Sequence, residues 1–316
     1  MVSTTYGRKN NGVGITQNSH IYKSIAQTTT LVCGFSFKLT SNYNAGFICC
    51  FMDNFVHQVD LHLSGAGQLS VRNGHGTILG TAVNTILLNN WYYIELKVTI
   101  SNTTGSFTLR VNGSSVTSGT LLDTQLSPNA YVDVVSFGGY ALNGVQAWCF
   151  DDVYMLDTTG TRNIDFLGPV SVDVLYPNAA GFVSQWTALS GSNYTQVNEH
   201  AVDGDTSYVS AATNGFQDLY EFDDIRNTPG AIFGIQLNQY SRKEWAGVRT
   251  TAHLLRPGTL DSGAGGSVNY GGGTVYLSES YSYHSELYDT NPANSGAGTW
   301  TVSSINGLQA GQSRAS

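Results

Sequence analysis

Trp91-Tyr92-Tyr93-Ile94-Glu95-Leu96-Lys97-Val98-Thr99-Ile100 is the stretch on which the reading of the fold turns. Side chains alternate along an extended chain, so Tyr92, Ile94, Leu96, Val98 and Ile100 share one face while Glu95, Lys97 and Thr99 share the other. The stretch predicts a strand with one face in a core and the other in water. A polar turn, Asn102-Thr103-Thr104-Gly105, comes after it. Phe107, Leu109 and Val111 then resume the alternation before Asn112-Gly113, a dipeptide favoured in two-residue hairpin turns.

Working outward, Leu31, Cys33, Phe35, Phe37 and Leu39 form a similar face, as do Val59, Leu61 and Leu63, and further strands are predicted at 131–137 and 147–156. Before residue 165 no stretch keeps apolar residues at three-and-four spacing for more than a turn, so no helix is predicted there. A polar loop, Thr158 to Asn163, marks a break, and two domains are expected, 1–165 and 166–316. In the second, strands are predicted at Val170–Tyr176, stopped by Pro177, at Ala231–Leu237 and at Trp245–Leu255, with Gly247 as a bulge. The glycines from Gly263 to Gly273 read as a loop or hairpin tip, Thr274 to Tyr283 alternates again, and Thr299–Val302 starts a last element.

Composition agrees with a β-rich chain. Gly (36), Tyr (18) and Phe (13) are frequent, whereas 14 Lys or Arg and 22 Asp or Glu leave only 11% charged residues, against about a quarter in most soluble domains. A net charge of -8 repels phosphate backbones and excludes a basic nucleic-acid binder. No window approaches the ~18 consecutive apolar residues of a membrane span, and the opening Met1 to Lys9 lacks the apolar stretch of a secretory signal, which predicts synthesis in a cytoplasm. The charge is uneven: residues 1–168 carry 8 basic and 9 acidic side chains, residues 169–316 carry 6 and 13. Cys33, Cys49, Cys50 and Cys149 contain no Cys-x-x-Cys pair and are expected to be buried free thiols, with the adjacent two on opposite faces.

Chemistry is sparse. The Glu-x-Asp-x-x-Glu triplet of jelly-roll glucanases is absent, and Glu221 with Asp223 is the nearest pair of carboxylates able to share a face. No Gly-x-Ser-x-Gly elbow occurs, and the glycine clusters lack the spacing and Lys-Ser/Thr of a phosphate loop. The seven histidines are scattered; His57 and His62, five apart, are expected on opposite faces of any one strand. No catalytic residue is nominated.

Asn90 to Leu96 together with Gly105 to Gly113 resembles the laminin-G/concanavalin A-like jelly-roll family, Trp91 matching the tryptophan that opens a central strand and Val111-Asn112-Gly113 its strand-ending turn. Phe150-Asp151-Asp152-Val153-Tyr154-Met155-Leu156-Asp157 looks like the returning last strand. The resemblance covers residues 10–160 and implies an all-β fold: a laminin-G-like jelly-roll sandwich followed by a second β-rich domain. Farther on, Asp165 to Gly168, Tyr176 to Gly181, Trp186, Asp205 to Val209 and Asp218-Leu219-Tyr220 are similar to virion structural proteins of tailed bacteriophages, as is the ending Asn291-Pro292-Ala293, Thr299-Trp300-Thr301 and Gly307 to Gly311.

That second resemblance implies an external virion component, on the tail or on the head surface, repeated in a symmetric assembly of virion proteins, with a host-surface glycan as a further partner. The acidic row Glu199, Asp203, Asp205, Asp218, Glu221, Asp223 and Asp224 is the expected docking surface. Trp148, Trp186, Trp245, Tyr281 and Tyr283 are the expected glycan or interface aromatics. No cofactor is required; laminin-G modules often hold calcium, which nominates Asp53, Asp151 or Asp152 in the first half and Asp203 with Asp205 in the second. A free lectin and a glycan hydrolase are the competing readings.

Overall fold

The strands read from alternation in the first half are present, and the alternation of apolar residues into the core holds along Leu31–Leu39 and Tyr92–Val98. The computed structural model describes residues 2–3, 7–8, 12–15, 19–40, 45–138, 148–257, 270–294 and 298–316. Its contacts divide the chain into two units, Met1–Val172 and Asp173–Ser316. In the first unit the described strands are β1 (Val2–Ser3), β2 (Gly12–Ile15), β3 (Ile21–Thr28), β4 (Thr30–Leu39), β5 (Gly46–Asp53), β6 (Val56–Leu63), β7 (Gln68–Asn73), β8 (Ile78–Thr85), β9 (Trp91–Thr99), β10 (Gly105–Val111), β11 (Ser114–Leu122), β12 (Val132–Phe137) and β13 (Trp148–Leu156). They form two antiparallel sheets, ordered β1-β2-β13-β4-β9-β10-β11 and β3-β12-β5-β6-β7-β8.

The predicted apolar faces meet between these sheets. Leu31 to Leu39 of β4, Val59, Leu61 and Leu63 of β6, and Ile94, Leu96 and Val98 of β9 belong to one buried cluster. Asn112 and Gly113 take φ of 51° and 81°, the left-handed pair that lets a two-residue turn match strand twist. All four cysteines are buried and free, Cys49 facing the core and Cys50 the other side of its sheet with Met52 and Val134.

The outer face of β9 is not in water as its polarity predicts. Residues 165–172 cross it as a strap: Glu95 Oε1 accepts from Tyr154 Oη at 2.6 Å and from the Gly168 N–H at 2.8 Å, and the Leu167 N–H donates to Tyr154 Oη at 3.1 Å. Asp152 anchors the end, accepting from the Val172 N–H at 2.8 Å and pairing with Arg8 Nε at 2.9 Å. Glu95 is thereby fully buried, and the first unit runs to Val172 rather than to 165. A β-carbon at Gly34 would collide with the Tyr154 ring, so only glycine admits this packing. Glu95→Leu leaves two half-buried donors, the Tyr154 hydroxyl and the Gly168 N–H, without their acceptor, a cost of about 1–3 kcal/mol. Limited proteolysis of that variant is expected to cleave within 158–172 at least about fivefold faster than in the parent; an unchanged digest would show that Glu95 does not hold the strap.

The second unit contains β14 (Pro177–Ser184), β15 (Thr187–Ala188), β16 (Val209–Ser210), β17 (Gln217–Phe222), β18 (Ile235–Ser241), β19 (Thr250–Arg256), β20 (Tyr270–Tyr276), β21 (Ser282–Tyr288), the short helix α1 (Val302–Asn306) and β22 (Gln309–Arg314). One sheet is ordered β14-β17-β22-β19-β20; β15 pairs β16, and β18 pairs β21. Leu255, Trp300, Ile305, Leu308 and Ala310 form its small core. The fold class is all-β, a jelly-roll sandwich followed by a second β-rich unit.

Several expected elements shift here. Val170–Tyr176 is not a strand: residues 170–172 belong to the strap, and the strand starts at Pro177, where a missing N–H removes no needed ladder bond. At 231–237 only Ile232 bridges Trp300 before β18 begins at Ile235, half-exposed because β21 is its single partner. Trp245 lies in a turn, with Gly247 at φ 98°, and β19 begins at Thr250. Gly271 to Gly273 are within β20, since ladder bonds need only backbone; residues 258–269 of that glycine-rich run lie outside the described residues. The alternating run Thr274–Tyr283 is split between β20 and β21, and Thr301 with Ser304 forms a capping box that opens α1.

Candidate functional site

Tyr240 of β18, Tyr283 of β21 and Tyr281, which immediately precedes β21, come together at one end of the β18–β21 ribbon. The register sets Tyr240 opposite Tyr283. The Tyr240 ring stacks on Tyr281 with centroids 4.9 Å apart at 13° and meets Tyr283 at 4.6 Å and 43°. Tyr283 is 66% exposed. Arg242 lies 5.2 Å from the Tyr281 ring centre and bonds Asp205 Oδ1 through Nη2 at 2.9 Å. Tyr281 Oη donates to the same oxygen at 2.9 Å. Along the ribbon, Asn238 Oδ1 accepts from Gln236 Nε2 at 2.7 Å and from Ser285 Oγ at 2.8 Å.

The electrostatics favour an ionised Asp205 and a protonated Tyr281. Hydrogen bonds from Arg242 and Tyr281 hold the Asp205 carboxyl below the usual carboxylate range, and burial, then the bond to Asp205, pushes the Tyr281 phenol up. The result is a three-ring surface bordered by an ion pair and a row of amides and hydroxyls. Such a surface stacks the C–H face of a sugar ring while its rim bonds hydroxyls; it equally suits an aromatic protein interface. Tyr281 and Tyr283 are legible in the sequence by their parity. Tyr240 and Arg242 are not, because the strand that carries Tyr240 and ends just before Arg242 begins four residues later than its hydrophobic run.

The remaining nominated aromatics separate. Trp148 is fully buried between the sheets and offers no surface to a ligand, which corrects its assignment: it shares the face of β13 that fills the core. Trp186 is half-buried, its Nε1 donating to the Phe216 carbonyl at 3.1 Å. Trp245 is 72% exposed on its turn.

The acidic row is not one surface. Asp218 is fully buried and accepts from Asn193 Nδ2 at 2.6 Å, Tyr220 Oη at 2.7 Å and the Trp186 N–H at 3.3 Å, so it is an internal tie and not a docking residue. Glu199 and Asp203 both accept from Ser207 Oγ. Asp223 accepts from Asn178 Nδ2 at 3.3 Å, and it is Glu221 with Asp224 that line a common cleft of ≈ 400 Å³ beside Asn306 and Gln309. Asp203, Asp205, Glu221 and Asp224 remain exposed or half-exposed.

The calcium candidates are engaged by donors of the fold. Asp53 Oδ2 accepts from Ser127 Oγ at 2.6 Å and Asn129 Nδ2 at 3.0 Å, Asp151 accepts from the N–H groups of Arg8 and Asp152, and Asp203 and Asp205 are bonded as above. Each carboxylate is turned to donors of the fold, and among the described residues no three His, Cys, Asp or Glu side chains gather as a metal site.

His57 and His62 converge instead of facing apart. The register between β5 and β6 slips between Phe51 and Met52, and both imidazoles meet the Phe47 ring edge-on at 5.6 Å. One extra residue in a strand inverts the parity of every later position in it, which spacing alone does not reveal.

No family model and no curated protein matches this chain. Several solved structures are similar to part of it. A heptameric SAP-like pentraxin from Limulus polyphemus is 17% identical, with a TM-score of 0.34 over 45% of this chain and 72% of its own. The CBM40 of a Ruminococcus gnavus sialidase, bound to sialyllactose, is 16% identical, with a TM-score of 0.32 over 44% and 83%. A carbohydrate-binding protein, so described for Bacteroides ovatus, is 17% identical, with a TM-score of 0.34 over 48% and 44%.

Proposed function

We propose that this chain is a non-catalytic, external structural component of a tailed-phage virion that binds glycan through the Tyr240–Tyr281–Tyr283 face. The observation that carries glycan binding is that face: the Tyr240 ring packed against both Tyr281 and Tyr283 on a narrow ribbon, bordered by Asp205, Arg242 and Asn238. The virion role rests on the sequence resemblance of the second half, and multiplicity on a particle turns weak single-site binding into firm attachment. Asp203, Glu221 and Asp224 are the carboxylates left for docking on a partner subunit.

A glycan array probed with the full chain tests the binding. Tyr283→Ala and Tyr240→Ala are expected to weaken the best glycan by at least about tenfold, roughly 1.4 kcal/mol each, with an unchanged melting temperature for the exposed Tyr283. An array without a hit overturns the glycan reading, and turnover of a polysaccharide overturns the non-catalytic one. Immunogold labelling of phage particles decides the rest: label on the tail supports attachment, label on the head makes this a capsid decoration protein, and unlabelled particles remove the virion role.

A further inference from the structure

The outer face of the six-stranded sheet carries a group of side chains that the ribbon does not use. A single cross-strand row sets Tyr22 of β3 opposite Ser136 of β12, Ser136 opposite Cys50 of β5, Cys50 opposite Asp60 of β6, and Asp60 opposite Arg72 of β7. At ~4.8 Å per strand the row is about 19 Å long. Next to it His62 faces Phe47, whose ring also meets His57. Tyr22, 57% exposed, stands at one end.

Three polar atoms here are buried and unmet. Asp60 Oδ1, His62 Nδ1 and Arg72 Nε find no hydrogen-bond partner among the described residues, although Asp60 is only 3% and His62 8% exposed. Asp60 and Arg72 are cross-strand neighbours, yet the ion pairs of the described residues are Arg8–Asp152, Lys97–Asp165 and Arg242–Asp205. Buried polar atoms in folded proteins are almost always bonded, and a group of orphans on one sheet face is what a ligand would satisfy. The set dictates the chemistry of that ligand. A guanidinium with a free edge beside an imidazole matches a carboxylate, Asp60 matches a hydroxyl, and the Phe47 ring matches a C–H face.

We propose that this face binds an acidic saccharide, Arg72 and His62 holding the sugar carboxylate, Asp60 a hydroxyl, and Phe47 packing against the ring. This site lies in the first unit and stands independently of the tyrosine ribbon.

The site also predicts a pH dependence. The titratable groups on the face are Cys50 from β5, Asp60, His57 and His62 from β6 and Arg72 from β7; β12 adds Ser136 and β3 adds Tyr22. Burial pushes Asp60 up to about 7, Arg72 opposing in part, while burial and then Arg72 push His62 down to about 4. Burial also lowers His57 and raises the Cys50 thiol, favouring the neutral form of each. Below about pH 7 Asp60 is neutral and Arg72 faces the ligand unopposed. Above it, the Asp60 carboxylate competes for Arg72 and repels the ligand.

Calorimetric titration of the full chain tests this, with tetragalacturonate and sialyllactose as acidic probes and galactotetraose and lactose as neutral ones. At least one acidic probe is expected to bind at pH 6 about tenfold or more tightly than its neutral counterpart, and to lose about tenfold between pH 6 and pH 8. Arg72→Met is expected to abolish the preference for the acidic probe with an unchanged urea midpoint, since Arg72 is half-exposed. Asp60→Asn is expected to retain binding at pH 6 and remove the loss at pH 8, which keeps the test decisive should the arginine variant unfold. Equal affinities for acidic and neutral probes, no binding of either, or parent-like pH dependence in Asp60→Asn would overturn the proposal.

Discussion

Trp148→Ala is expected to destabilise the first unit by about 3–5 kcal/mol, the usual cost of removing a buried indole. The ring is fully buried, meets Phe37 edge-to-face at 5.7 Å and 90°, and sits on β13 with Leu39 of β4 on one side and Ile15 of β2 on the other. Ladders on both sides hold the strands apart, so the space left behind cannot collapse, and close-packed interiors tolerate such gaps badly. Trp148→Phe fills part of that space and is expected to cost about half as much. Urea unfolding monitored by circular dichroism reads the effect on the first unit's transition. A loss under about 1 kcal/mol, or a variant that keeps its stability and loses glycan binding, would make Trp148 a ligand contact after all.

Asp218→Leu is expected to cost the second unit about 3 kcal/mol or more, because three donors lose one buried acceptor group at about 1–3 kcal/mol each. The residue ties Asn193, Tyr220 and the Trp186 backbone to β17. Asp218→Asn retains one acceptor oxygen and turns an NH₂ group toward the remaining donors, so an intermediate loss is expected. Thermal unfolding distinguishes this structural role from docking. If Asp218→Leu left the melting transition in place and impaired only assembly on the particle, the residue would belong to the interface. The second unit's small core, built on Leu255, Trp300, Ile305, Leu308 and Ala310, gives such a polar tie more weight than it would have in the first.

The contrast between the two units explains what is legible. In the first, two broad sheets share one core, so the central strands β4 and β9 carry unbroken apolar faces and can be read from alternation at Leu31–Leu39 and Trp91–Ile100. In the second, β14 lies at a sheet edge and β18 and β21 pair only with each other, so along these strands exposed and half-buried positions carry similar residues. Ile235–Ser241 is polar at every second position, and its start merges with the end of the preceding apolar run. The site residues divide the same way. Tyr281 and Tyr283 share a face by simple parity, whereas their partner Tyr240 lies far earlier in the chain and joins them only through the β18–β21 register.

The sequence by itself determined the all-β class, the sandwich core, the Asn112-Gly113 turn and the burial of four free thiols, because these depend on period-two alternation and on local backbone preference. Only the tertiary structure decided that Glu95 is covered by the 165–172 strap, that Trp148 and Asp218 are internal, that Tyr240 completes the aromatic face, and that His57 and His62 meet on Phe47 beside Asp60 and Arg72. Alternation tells which residues share a face, but not what lies on that face. A strap, a cross-strand partner or a one-residue bulge comes from elsewhere in the chain and resets burial, charge and direction together.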